Sequence, residues 1–210
     1  GTSLRGWSGD ERDAGPEQPA TNVVVDCGWG RLIFGQTFSD PRMLADVLRQ
    51  EAPGRRDIAI YQRDPHVVVS IAPHEVFLDP SHTYRLWLDQ YRPSRRRPKG
   101  FMVRLVSTPA DAEAMLDIYL RRHMVPTDPE FIWDHRTSRV HTFFVAEDLT
   151  SGKVVGSVHG VDHVEAFADQ ENGSSLWALA VDPQAQVPGV GEALVRQLAE
   201  HYQARGRAFM

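Results

Sequence analysis

The chain has 210 residues, 41% of them hydrophobic and 24% charged, with a formal net charge of −5. That balance is ordinary for a globular protein of one or two domains with a buried core, and it leaves no basic footprint for nucleic acid. The single cysteine, Cys27, excludes an intrachain disulfide and a cysteine-rich zinc site, and no apolar run approaches the ~20 residues of a membrane-crossing helix, so a reducing, cytoplasmic setting is expected.

Residues 1–21 are rich in Gly, Ser, Pro and charge without an apolar period, and disorder is expected there. From Asn22 to Tyr91 the pattern is that of a small α/β unit. Val23–Val25 and Arg31–Phe34 read as strand segments broken by Gly28 and Gly30. Ser39 is placed to cap a helix whose apolar face is Met43, Leu44, Val47 and Leu48. Ile58–Tyr61 and Val67–Ile71 read as two further strands around an Arg63–His66 turn. No chemical signature stands out here; Cys27, Trp29 and the histidines read as core or surface residues. The stretch 92–100, basic and carrying Pro93 and Pro98, reads as a solvated linker rather than a nucleic-acid patch.

The remaining residues, 101–210, have a sharper pattern. Met102–Val106 is a strand. Thr108, Pro109 and Asp111 supply a cap, an N1 proline and a capping-box acid, and Ala112, Met115, Leu116 and Tyr119 make one helical face. A short helix over Pro129–His135 follows. Thr142–Ala146 and Val154–His159 pair as a hairpin across residues 148–153, and a loop over Val164–Ser174 leads to a strand at 176–181. A helix with apolar positions 190, 194, 195, 198, 199 and 202 comes next. It ends at Gly206, with a new strand beginning at Ala208. The order is β-α-α-β-β-β-α, an α/β (α+β) class.

The passage from the 176–181 strand through Gln186-Val187-Pro188-Gly189-Val190-Gly191 into a helix carries the chemistry. A helix start leaves backbone N–H groups unpaired at the positive end of its dipole, which suits a phosphate, and glycines remove the Cβ that would stand in the way. A P-loop would need a Lys-Ser or Lys-Thr pair, which does not occur. A dinucleotide-binding fingerprint would need glycine where Leu194 stands and an acidic residue about twenty positions later. An αβ turn that uses its glycines only for close packing is the competing reading. What is left, Gln-x-x-Gly-x-Gly after a strand ending Val-Asp-Pro, resembles the acetyl-CoA-binding motif of the GNAT (Gcn5-related) acetyltransferases.

That resemblance covers residues 101–210 and implies a GNAT fold truncated in its fifth strand, with acetyl-CoA as cosubstrate. It implies that the backbone of Leu179, Ala180 and Val181 lies along the pantetheine arm. Gln186, Val187, Gly189, Val190, Gly191 and Glu192 would then hold the pyrophosphate. A further resemblance rests on Asp26–Phe38, Leu78–Leu86 and Ser174–Trp177, which look like the N-terminal half of N-acetylglutaminylglutamine synthetases. That family joins a GNAT domain to an ATP-grasp ligase. It implies a small-molecule amine as acceptor, glutamine in osmoprotectant dipeptide synthesis, a ligase domain in cis, and an inactive fragment as given.

Direct attack of an amine on a thioester needs positioning and a nearby base. His159, Asp162 and His163, at the end of the strand before 176–181, are the candidates. The same stretch echoes a zinc-binding His-x-x-Glu-His, but that motif needs a helix, and Gly160 and the β-branched neighbours argue for a strand; no metal is expected. The alternative is a non-catalytic module with a degenerate GNAT fold that binds CoA or a partner.

Overall fold

A computed structural model describes residues 19–95 and 97–210; most of the stretch expected to be disordered lies outside them. The chain forms two sheets. β1 (Val24–Asp26), β2 (Arg31–Phe34) and β3 (Ile58–Ile60) make the first, in that order, with β1 and β2 antiparallel and β2 and β3 parallel. A single 3-10 turn, Gly35–Thr37, and helix α1 (Pro41–Leu48) carry the chain between β2 and β3.

Two local expectations are corrected here. The α1 cap is Asp40, which accepts from the Arg42 amide with Pro41 at the first helical position, rather than Ser39. Met43 is 45% exposed, and the buried positions are Leu44 and Ala45. Val67–Ile71 is not a strand: it lies in helix α2 (Pro65–Ile71). The β-branched run suggested a strand, but Pro65 sits at the helix start, and burying Val68 and Ala72, with Ile71 packed beside them, uses helical spacing.

The second sheet runs β4 (Phe101–Leu105), β5 (His141–Asp148), β6 (Val154–Asp162) and β7 (Ser174–Val181), antiparallel throughout. Helices α3 (Pro109–Arg121) and α4 (Pro129–Asp134) lie between β4 and β5, and the Thr108–Asp111 capping box forms as the residues predict. The face of α3 is broader than expected: Ile118 is buried with Ala112, Met115 and Tyr119, while Leu116 is only half-buried. The stretch read as a loop over 164–174 contains a short helix, α5 (His163–Phe167), capped by Asp162. Helix α6 (Val190–Ala204) follows β7.

Side chains of the second sheet alternate between two cores. One face meets α6, through Val158, Leu194, Leu198, Ala199 and Tyr202. The other meets α3 and α4, and also the first sheet, whose Leu32 and Phe34, with Trp29 from the turn before β2, join Val161 in a shared cluster. Two glycines set how close α6 comes. A Cβ at Gly156 would lie 2.7 Å from Val190 Cγ1, and one at Gly160 would lie 2.6 Å from Leu198 Cδ1 and against the Tyr202 hydroxyl. Gly160→Ala therefore forces helix and sheet apart, at an expected cost of about 1–3 kcal/mol read as a lower urea midpoint with an unchanged slope.

Where a strand is expected from Ala208, the chain makes isolated bridges instead of a strand. Phe209 bridges Gly173 in parallel fashion on one side and Trp87 in antiparallel fashion on the other. Leu86 and Met210 exchange two backbone hydrogen bonds, of 2.8 and 3.0 Å, and Leu88 is buried in the α6 core. The segment before the basic stretch is thus hydrogen-bonded to residues 208–210.

Candidate active site

β7 is the outer strand of its sheet. Gly173 pairs with Phe209, but from Ser175 onward no strand lies on its outer side among the described residues. Its pairing with β6 slips midway: Ser157 opposes Ala180 and His159 opposes Trp177, so Val158 faces both Ala178 and Leu179. Ala178 takes a positive φ of 47° to make this bulge. A bulge on an open edge turns backbone groups out of the ladder, where a ligand's amides can meet them.

Past the bulge, Leu179 and Val181 pack toward α6 and Ala180 toward α3. The end of the strand is anchored from α3: Arg122 Nε donates to the Val181 carbonyl at 2.6 Å and Arg121 pairs with Asp182 at 2.7 Å. The turn then enters α6 through Gly189, the N-cap, at φ +84° and with no side-chain cap bond to the first turn. A Cβ at Gly189 would point into open space. The first-turn amides of Val190, Gly191 and Glu192 have no acceptor inside the helix by its geometry, and glycine leaves their approach clear. Gln186 is exposed, with its amide on the Gln184 carbonyl at 3.1 Å, and Val187 packs into the α6 core. The open β7 edge therefore leads directly to the α6 N-terminus.

The three acid/base candidates all lie on the side of the sheet away from α6 or at its rim, and all are buried. His159 is fully buried on β6; its Nε2 meets His141 Nδ1 at 3.0 Å, and its Nδ1 has no partner. Burial, and then the nearby His141 and His135, hold its pKa well below the usual imidazole value. His141 is pulled down to about 4, by burial first and then by His135, with Asp26 opposing. Both rings are therefore neutral near pH 7, and one proton is shared between them.

The sign of the pH dependence follows. An unfolded histidine takes up its proton near pH 6.5, whereas these two stay neutral in the fold to well below that. Stability is present above about pH 6.5 and falls as pH drops toward 4. Urea unfolding midpoints at pH 7.5, 6 and 5 check this, with His141→Phe expected to flatten the decline.

Asp162 is committed elsewhere. It is fully buried, accepts the Glu165 amide as the α5 cap, and pairs with Arg207 Nε at 2.9 Å and Arg205 Nε at 3.3 Å. His163 is 1% exposed, but its ring reaches outward through a partner: Nε2 lies 2.8 Å from the Oγ of Ser175 on the open strand. Ser175, the Ala178 bulge and the His141–His159 pair were not singled out from the sequence. Nothing in a Ser-Ser-Leu-Trp run marks a hydroxyl, and a bulge is visible only once two strands are paired. Among the described residues no group of three His, Cys, Asp or Glu is arranged to hold a metal ion, and no helix is long and apolar enough to cross a membrane.

Residues 112–209, just under half of the chain, match the model of the acetyltransferase (GNAT) family. Solved structures similar to the chain include an acetyltransferase of Trypanosoma brucei, at 20% identity over 51% of this chain and 77% of that one, with a TM-score of 0.40. A GCN5-related N-acetyltransferase from Sphaerobacter thermophilus is 20% identical over 60% of this chain and 39% of its own, with a TM-score of 0.45. An N-acetylglutamate synthase from Neisseria gonorrhoeae, solved with coenzyme A and N-acetyl-glutamate, is 20% identical over 50% of this chain and 23% of its own, with a TM-score of 0.39. The chain thus spans well under half the length of the last two. No curated protein matches it. Residues 112–209 are thus similar to the GNAT acetyltransferase family, the resemblance that the Gln186–Gly191 turn carries.

Proposed function

We propose that the chain transfers an acetyl group from acetyl-CoA to the amine of a small molecule. The observation that carries this reading is the open, bulged strand β7 running into an α6 whose first turn is capped by glycine alone. When bound, acetyl-CoA supplies the activated thioester. The backbone of Leu179, Ala180 and Val181 lines its pantetheine arm. The amides of Val187, Gly189, Val190, Gly191 and Glu192, with Gln186 beside them, hold the pyrophosphate. Of the three acid/base candidates, Asp162 is engaged by two arginines and His159 is sealed in the core, which leaves His163 in contact with the outer strand.

Glutamine as acceptor, and an ATP-grasp ligase in cis, follow from the resemblance of Asp26–Phe38, Leu78–Leu86 and Ser174–Trp177 and belong to the same proposal. The burial of all three candidates also favours a second reading, a CoA-binding module without turnover. Calorimetry with CoA, followed by thiol release from acetyl-CoA in the presence of L-glutamine and other amino acids, tests both readings. Saturable binding with amine-dependent thiol release is expected. Binding without release supports the module, and no binding overturns the proposal.

A further inference from the structure

Ser175, His163 and Asp169 form a chain of polar groups behind the open strand. Trp177 Nε1 lies 2.8 Å from Ser175 Oγ, and an indole nitrogen can only donate. That contact occupies an oxygen lone pair and leaves the serine hydrogen free to point to His163 Nε2, also at 2.8 Å. A ring that accepts at Nε2 carries its proton on Nδ1, and Nδ1 faces Asp169 Oδ2 at 3.6 Å. The carboxylate is itself held by the amides of Gly173 at 3.0 Å and Glu171 at 3.2 Å. His163 is wedged among Phe34, Phe167 and Phe209, so its ring cannot swing to solvent. Ser175 is partly exposed on the open strand, four residues before Leu179 and on the side of the sheet that carries Trp177.

We propose that this chain is a proton relay for the acceptor amine, with Ser175 as the group that touches substrate and His163 and Asp169 as positioning residues behind it. The proposal rests on the acetyltransferase reading above and extends it. As the amine nitrogen forms its bond to the acyl carbon, one N–H bond breaks and that proton passes to Ser175 Oγ. The serine's own proton moves to His163 Nε2, giving an imidazolium whose charge Asp169 offsets. Release of one proton to water restores both residues. The logic is that of a hydroxyl hydrogen-bonded to a base, with a carboxylate 3.6 Å behind the ring to offset its charge, used here to move a proton. The charged and titratable groups around His163 are Asp169 on its own loop, Asp162 with Arg205 and Arg207, and, across Phe209, Arg85 with Tyr61 and Glu171.

Two measurements test it on the intact protein. Nitrogen-15 NMR of the His163 ring at pH 7.5, without ligand, reads the tautomer directly. The Nδ1–H form is expected, shifting toward a mixture in Ser175→Ala and Asp169→Asn; an Nε2–H ring in the wild type overturns the relay. In acetyl transfer to L-glutamine and a panel of amino acids, Ser175→Ala and His163→Gln are expected to lose about 100-fold in kcat. The KM for acetyl-CoA and the calorimetric CoA affinity should stay unchanged, and Ser175→Thr should recover most of the rate. Transfer by Ser175→Ala at the wild-type kcat, with CoA still bound, overturns the relay and leaves the acetyltransferase reading standing. An acetyl group trapped covalently on Ser175 also overturns it, since the serine would then be a nucleophile. No transfer by the wild type to any amine overturns both.

Discussion

Gly189→Asp is expected to weaken CoA binding by about 30-fold or more, equivalent to about 2 kcal/mol, while leaving the protein folded. The position caps α6 at φ +84° with open space where a side chain would stand. An aspartate there sets a negative charge where phosphate oxygens would approach, and offers its own oxygens to the same first-turn amides. Those two effects add, since one repels the ligand and the other competes for its donors. Gly189→Ala is the control, because both variants meet the left-handed backbone strain of about 1 kcal/mol but only one carries charge. Calorimetric CoA titrations of the two variants, beside urea unfolding, separate the effects. Equal affinity losses for alanine and aspartate would mean that the α6 N-terminus is not where the phosphates bind, and the glycine would then be a packing device only.

Gly189 also marks how far the residues alone could be read. That Gly189 caps the helix emerges from the fold, whereas the helix itself and the strand before it are local features, set by apolar spacing, and they appear where predicted. So do the Thr108–Asp111 capping box and the β5–β6 hairpin. The misreadings arose where a local preference competed with a neighbour. Val67–Ile71 has strand-like residues, but Pro65 starts a helix and Val68 is buried against the first sheet. The site is less legible than the fold, because its geometry is assembled from distant pairings. The Ala178 bulge exists only in the register of β6 against β7, and the Ser175–His163 contact joins a residue of β7 to the first residue of α5, twelve positions earlier. Asp162 illustrates the converse. In the sequence it is one ionisable residue between two histidines, while its partners Arg205 and Arg207 lie more than forty positions away.

Asp162→Asn is expected to destabilise the fold by about 3 kcal/mol, the largest single loss anticipated for the acid/base candidates. The carboxylate has no exposed surface, and it faces the guanidiniums of Arg207 at 2.9 Å and Arg205 at 3.3 Å while capping α5. An amide keeps the shape and can still accept from the Glu165 amide. It cannot balance two cations held at 11% and 20% side-chain exposure. Glu165 lies 3.1 Å from Arg205 and 3.5 Å from Arg207, which keeps the estimate at the lower end for a broken buried pair. Urea unfolding at pH 7.5 gives the loss directly, and Arg207→Met in the same background should cost little more, since the two variants remove the same interaction. This bears on how any loss of acetyl transfer in Asp162 variants is read. With the fold weakened, lost activity at 37 °C reports unfolding, and only a rate measured well below the variant's midpoint bears on chemistry. A variant of wild-type stability that nonetheless stops transferring acetyl groups would return Asp162 to the reaction as an acid or base.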